Sequence, residues 1–295
     1  MRGQERRRRD RPQNAPLPVR APAGEEAPPR PRRERGQGYL YGRHAVAAAL
    51  ANPERRWHRL AALADHAAEA TALVAAAQAQ FRGGAEPVQL LDRLALDRLL
   101  PEGAVHQGLA LQVEPLPQAD LDDVLRAVAI DEAGGEGRAL VVVLDRVSDP
   151  HNVGAVLRSA AAFGAAGIIV PAHGTPPATG ALAKAAAGAL DCLKLVRAGN
   201  LVQALERLKA AGFWCVGLDE RAPAPLADLD LGPRVALVLG AEGSGLRRLV
   251  RERCDHLARL PTRPPLPSLN VSNAAAIALY ELRRSETAAP ASRPA

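Results

Sequence analysis

The sequence predicts an α/β protein whose larger part is a parallel sheet covered on both faces by helices. Three observations carry that expectation. From Ala139 onward short apolar runs alternate with helical stretches, the pattern of repeated strand–helix–strand units. The first run, Leu140 to Leu144, is apolar without interruption, as a strand buried on both faces requires. Three polar turns follow runs of this kind, each placed to open a helix, and open α/β sheets bind ligands outside the carboxyl ends of their strands. Three such ends in one unit imply one composite site.

Taken in order, Leu140–Leu144 is followed by a helix over Asn152–Phe163. Strand Ile168–Val170, helix Ala181–Ala189, strand Leu193–Val196 and helix Leu201–Ala211 come next. Strands Trp214–Leu218 and Val235–Leu239, helix Leu246–Arg253, strand Leu257–Leu260 and helix Val271–Arg284 complete the unit, 139–285. Residues 39–113 form a smaller α/β unit: a helix over Gly42–Ala51, a strand over Arg59–Ala64, a long helix over His66–Phe81 ended by Gly83-Gly84, and strands Val88–Leu91 and Leu109–Val113. Between the two units, 114–138 reads as a linker. It has Pro115 and Pro117, an acidic helical patch over Asp120–Ala129, and a flexible joint at Gly134-Gly135-Glu136-Gly137.

Apolar residues make up 47% of the 295, enough for a sizeable core, but aromatics are only 3%, so Ala, Leu and Val must fill it. No apolar run reaches membrane-spanning length. No apolar stretch follows Arg6-Arg7-Arg8-Arg9, so no secretory signal is expected. Cys192, Cys215 and Cys254 are odd in number and widely spaced, which fits reduced thiols in a cytoplasmic protein. No zinc-like spacing is present, and no metal is expected. Residues 1–38 carry 11 arginines against 5 acidic residues, a balance of +6 that equals the net charge of the whole chain. With seven prolines and almost no large apolar residues this stretch reads as a disordered basic arm suited to phosphate backbones, or as a solvated tail with no specific role. The tail at 286–295 is also expected to be disordered.

The turns carry the candidate chemistry. The first runs Asp145-Arg146-Val147-Ser148-Asp149-Pro150-His151-Asn152-Val153-Gly154 and leads to Arg158-Ser159. Asn152 suits a helix N-cap. Arg158 is either a surface cation or, set among Ala155, Val156, Leu157, Ala160 and Ala161, a functional one. The second, Gly240-Ala241-Glu242-Gly243-Ser244-Gly245, has neither the dinucleotide-binding spacing nor the lysine of a phosphate-binding loop. It reads as a tight turn, or as bare backbone with one carboxylate that a flat ligand can approach closely. The third, Ser268-Leu269-Asn270-Val271-Ser272-Asn273, precedes a helix apolar nearly all round and therefore expected to be buried. Its polar groups serve either as capping or as a ligand site at a helix N-terminus.

Together these segments resemble the SpoU (TrmH-like) family of RNA ribose 2′-O-methyltransferases. All three family motifs occur in order, within Leu144–Val170, at Leu239–Leu246 and at Ser268–Tyr280. Tyr41-Gly42-Arg43-His44-Ala45-Val46 and His106-Gln107-Gly108 resemble the family's small, ribosomal-protein-like substrate-binding domain. The resemblance implies a parallel-sheet (SPOUT) domain closed by a C-terminal trefoil knot, S-adenosylmethionine as cofactor, a homodimer whose site is completed across the interface, and RNA as substrate. The layout implies a guanosine of large-subunit rRNA. The alternatives are a tRNA guanosine enzyme or a noncatalytic RNA-binding or ribosome-assembly factor. By resemblance Arg158 contacts the 2′-hydroxyl and its phosphate, Asn152 orients Arg158 or the ribose, and Glu242 fixes the loop. Ser268 and Asn270 hold the reacting centre. Gly240, Leu218, Leu260, Leu269 and Asn270 hold the cofactor, and Tyr41, Arg43, His106 and Gln107 contact RNA. The run Arg263-Pro264-Pro265-Leu266-Pro267 departs from the family's smaller residues and implies a stiffer approach to Ser268.

Overall fold

A computed structural model of the chain describes residues 38–84, 86–133, 138–175, 181–186, 188–263 and 268–287. The basic arm up to 37, the Gly134–Gly137 joint, Pro264–Pro267 and the tail from 288 lie outside the described residues.

In the smaller unit, strands β1 (Tyr39–Tyr41), β2 (Trp57–Leu63), β3 (Val88–Leu91) and β4 (Leu109–Val113) form one sheet in the order β1-β4-β2-β3. Pairing is antiparallel except between β2 and β3. Strand alternation divides the side chains between two apolar layers. Leu60, Ala62, Leu109 and Leu111 pack with helices α1 (Arg43–Ala51) and α2 (Ala67–Ala76), while Ala61 and Ala110 pack with α3 (Arg93–Leu99). The helix expected over 66–81 stops at Ala76 and continues only as a short 3₁₀ turn. The Ala77 carbonyl accepts both the indole N–H of the fully buried Trp57 at 3.0 Å and the Gln80 N–H at 3.3 Å, which ties this 3₁₀ turn to the sheet.

The larger unit opens with α4 (Leu121–Ala133). Strands β5 (Ala139–Asp145), β6 (Ala165–Pro171), β7 (Lys194–Ala198), β8 (Trp214–Leu218), β9 (Ala224–Pro225), β10 (Arg234–Gly240) and β11 (His256–Arg259) follow, in the order β7-β6-β5-β10-β8-β11-β9. Every pairing in it is parallel, as the alternation of elements predicts. All seven residues of β5 are buried. Its Leu140, Val142 and Leu144 meet α5 (Pro150–Ala162), α6 (Ala181–Ala186) and α9 (Val271–Thr287). Its Val141 and Val143 meet α4, α7 (Leu201–Ala210) and α8 (Arg248–Glu252).

Four expectations change. The stretch read as a linker contains α4, whose Leu121, Val124 and Val128 are buried in the sheet's own core. Burying side chains of this size is worth roughly 1.5–3 kcal/mol each, enough to make the helix a layer of the sheet unit. Helix α5 begins at Pro150, with Asp149 rather than Asn152 as its cap. Helix α9 includes Glu286 and Thr287, where the tail was expected to begin. It is also not buried all round: Ile277 and Tyr280 are about half exposed, on a stripe with Asn273 and Arg284. Burial pushes the thiols of Cys215 and Cys254 up to about 12, so both are inert packing residues.

Candidate active site at three strand ends

Strand order reverses around β5. The chain runs outward through β6 and β7, crosses to β8 on the other side, and then places β10 between β8 and β5. Gly240 stands beside Asp145 in the β10–β5 register, so the first and second turns leave the sheet at adjacent points. Such a switch point is where a crevice opens at the carboxyl edge of a parallel sheet.

The three turns then join. Asp149 caps α5 by accepting from the His151 N–H at 3.1 Å, and Pro150 fills the first helical position, where no N–H is needed. Asn152 is thereby released from capping. Its Nδ2 donates to Glu242 Oε1 at 3.1 Å, and its Oδ1 accepts from Asn270 Nδ2 at 3.0 Å. Asn270 Nδ2 also reaches Glu242 Oε1 at 2.5 Å, and the Val271 N–H points at the same oxygen at 3.4 Å. The Oδ1 of Asn270 meanwhile accepts from the N–H and hydroxyl of Ser272, at 2.9 and 2.6 Å. One carboxylate oxygen thus ties together side chains 90 and 28 residues away. The other, Oε2, bonds to none of the described residues, and Glu242 and Asn270 are both exposed. The cluster keeps hydrogen-bonding capacity for a ligand.

The glycine loop is shaped by its own backbone. A Cβ on Gly240 would lie 2.1 Å from the Gly245 carbonyl carbon and 2.4 Å from the Leu246 nitrogen. Gly240 is therefore needed for the loop to fold back on itself, where the sequence reading set its bare backbone against the cofactor. A further residue pair closes the loop and escaped the sequence reading. Asp145, fully buried, accepts from the Arg247 backbone N–H at 2.8 Å and from its Nε at 2.7 Å. The available signal was an acid ending an otherwise apolar strand. Leu218 ends β8, Leu260 follows β11, and both are half-buried against the core. With Gly240 they line the ends of three adjacent strands, an apolar floor beside polar backbone. That mixture fits an adenosyl group. Ser268 and Leu269 are exposed just ahead of Asn270, and Ser268 bonds to none of the described residues.

Arg158 is not part of the cluster. Six residues beyond Asn152 on the helix, it lies about 9 Å further along the axis and well round from it. It is exposed and pairs with none of the described residues, on one stripe of α5 with His151. Asn152 bonds to Glu242 and Asn270 and makes no bond to Arg158.

The RNA candidates in the smaller unit divide. Arg43 is exposed and paired with Glu69 at 2.8 Å, and the guanidinium holds that carboxyl below its ordinary range. Tyr41 is half-buried on β1, and burial raises its phenol. His106 is buried, with Nε2 on Asp97 Oδ1 and Nδ1 accepting from the Gly108 N–H, both at 3.0 Å. Gln107, at φ +50°, accepts from the Arg43 N–H at 3.0 Å and so caps α1. Both ring nitrogens of His106 are taken inside the protein, whereas Gln107 is exposed and commits only its Oε1, so the two build the turn that presents Arg43.

The chain's likenesses bear on this geometry. Residues 139–280 match the SpoU rRNA Methylase family, and residues 39–119 match the family described as RNA 2′-O ribose methyltransferase substrate binding. The chain is 38% identical over 252 residues to the 23S rRNA (guanosine-2′-O-)-methyltransferase RlmB of Vibrio cholerae, covering 84% of this chain and 97% of that protein. It is also 38% identical over 246 residues to an uncharacterized tRNA/rRNA methyltransferase of Synechocystis, covering 83% of this chain but only 62% of that protein's length. Among solved structures, the SpoU methyltransferase AviRb of Streptomyces viridochromogenes, in complex with AdoMet, superposes with a TM-score of 0.65 at 25% identity, over 85% of this chain and 90% of that one.

Proposed function

The chain belongs to the SpoU rRNA methylase family, and from that premise we propose that it transfers the methyl group of S-adenosylmethionine to a ribose 2′-hydroxyl in RNA, at a guanosine of large-subunit rRNA. The observation that carries the reading is the Asn152–Glu242–Asn270 junction, which gathers one polar group from each of the three turns at the carboxyl ends of the strands. Support for the cofactor comes from the AdoMet complex of AviRb, and for the substrate from the name of the RlmB relative.

The cofactor supplies an activated methyl on a sulfonium, so the protein's task is alignment and charge stabilisation. Leu218, Leu260 and Leu269 would hold the flat face of the adenine, and the loop from Gly240 would offer backbone groups to its polar edge. Asn270 and Glu242 fix the polar edge of that site. Arg158, locked in its cationic form, would hold the 2′-oxygen and the neighbouring phosphate and stabilise the negative charge that grows on the oxygen as its proton passes to water. Arg43 and Tyr41 lie on the RNA-facing side of the smaller unit.

The protein acts as a homodimer in this reading. The exposed stripes of α5 and α9 carry Ile277 and Tyr280, apolar surface that a second copy would cover. Arg158, on the exposed stripe of α5, would then serve the partner's junction. The test is methyl transfer from labelled S-adenosylmethionine to large-subunit rRNA, with 2′-O-methyl mapping. A single marked guanosine is expected. Label on tRNA alone, or on no RNA, would sink the proposal.

A further inference from the structure

The two units meet along a seam remote in sequence from all three turns. Gly188, at φ +90°, brings its backbone against α1, where a Cβ would lie 2.9 Å from Ala48 Cβ and 3.1 Å from the His44 carbonyl oxygen. Three residues on, Asp191 projects into the smaller unit. Its Oδ1 accepts from Arg55 Nε at 2.7 Å and from Asn52 Nδ2 at 3.2 Å. The Arg55 side chain is 6% exposed and that of Asp191 1%. Arg55 also donates from NH1 to the Glu114 carbonyl at 2.9 Å, where the smaller unit hands over to the connecting stretch. Lys194 and Glu54 pair at 2.5 Å nearby, more exposed.

A seam that needed only adhesion would be apolar. Burying two full charges is costly, and a buried pair of this kind is often no more stabilising than apolar residues of the same size. What it adds is direction. The pair is satisfied in one relative placement of the two units, and any slip leaves a bare charge out of water. The best-attested use of such pairs is to set register.

We infer that Arg55, Asp191 and Asn52 are positioning residues that hold the RNA-binding unit at one fixed placement over the methyl-transfer site. Which ribose meets the methyl donor is then set partly by this clamp. The inference rests on the reading that residues 39–113 hold the RNA.

The test uses full-length protein carrying Asp191→Ala, with Asn52→Ala as a milder variant that leaves the ion pair in place. Small-angle scattering reads the placement of the units, calorimetry reads S-adenosylmethionine affinity, and 2′-O-methyl mapping on large-subunit rRNA reads position and rate. In Asp191→Ala we expect a larger radius of gyration, cofactor affinity within twofold of wild type, kcat/KM on rRNA down at least tenfold, and marks spread to neighbouring riboses. Asp191→Asn should restore much of the loss, since its amide oxygen still accepts from Arg55 and Asn52. Asn52→Ala should fall between. Unchanged scattering with one mark at the wild-type rate would overturn the inference. So would cofactor affinity falling together with the rate, which would make the pair a general support of the fold. If the wild-type protein methylated no RNA, the proposed function would fall, while scattering would still report whether the clamp holds the units.

Discussion

Two polar clusters in this molecule are built alike and sit in opposite surroundings. At the three turns, Glu242 is held by two asparagine side chains and stays exposed, with one oxygen uncommitted among the described residues. At the seam, Asp191 is held by Arg55 and Asn52 out of water. Exposed polar bonds exchange readily with water and contribute little to folding. Buried ones leave an uncompensated group when broken. The same carboxylate–amide chemistry is therefore available to a ligand in one place and committed to architecture in the other. Burial, not residue type, decides between the two.

The comparison can be broken from either side. The largest effect on stability belongs at the seam: Asp191→Ala should lower the unfolding free energy by about 3–5 kcal/mol, because Arg55 is left buried without its partner. Urea denaturation measures this, and a loss below 1 kcal/mol would place the seam in the same class as the turns. At the turns the pattern should invert. Glu242→Ala should leave stability within about 1 kcal/mol of wild type and slow methyl transfer roughly a hundredfold, about 2.7 kcal/mol of activation free energy. A melting temperature that drops with the rate would make Glu242 structural.

Arg158→Ala sharpens the distinction, since Arg158 touches neither cluster. It should keep the fold and S-adenosylmethionine affinity while losing more than tenfold in turnover, upwards of about 1.4 kcal/mol. Near-wild-type turnover at saturating RNA would remove it from the mechanism. The smallest effect is expected from deleting residues 1–37, which hold all 11 arginines of the N-terminal stretch. Both clusters should be untouched, cofactor affinity unchanged, and log RNA affinity should fall less steeply with log salt as fewer counterions are released. An identical slope would mean that the arm makes no contact with RNA.

Much of the scaffold is legible along the chain. Strands Val88–Leu91, Leu109–Val113 and Trp214–Leu218 stand at the limits that their apolar patterns predict, bounded by turn residues. Helix α3 was missed, a short element of seven residues packed against the sheet mainly through Leu96. At the site, Asn152, Glu242 and Asn270 were all singled out, but the pattern of their bonding was not. Asn152 read as a cap because its residue type suits that role, until Asp149 proved to occupy it. His106 and Gln107 were RNA contacts by resemblance alone, and only packing showed both His106 ring nitrogens and the Gln107 Oε1 bound, to Asp97, Gly108 and Arg43.

What the sequence determined by itself is what short-range physics governs. Apolar periodicity, glycine and proline punctuation and the run of charge act over a few residues, so they can be read there. They set the alternation of elements, the parallel sheet and the three turns. Tertiary structure alone decided which polar groups meet. Asp145 and Arg247 are 102 residues apart, and Arg55 and Asp191 are 136 apart. No local pattern links such pairs. Each becomes a bond only when the sheet brings distant segments together and removes the water that would otherwise satisfy them separately.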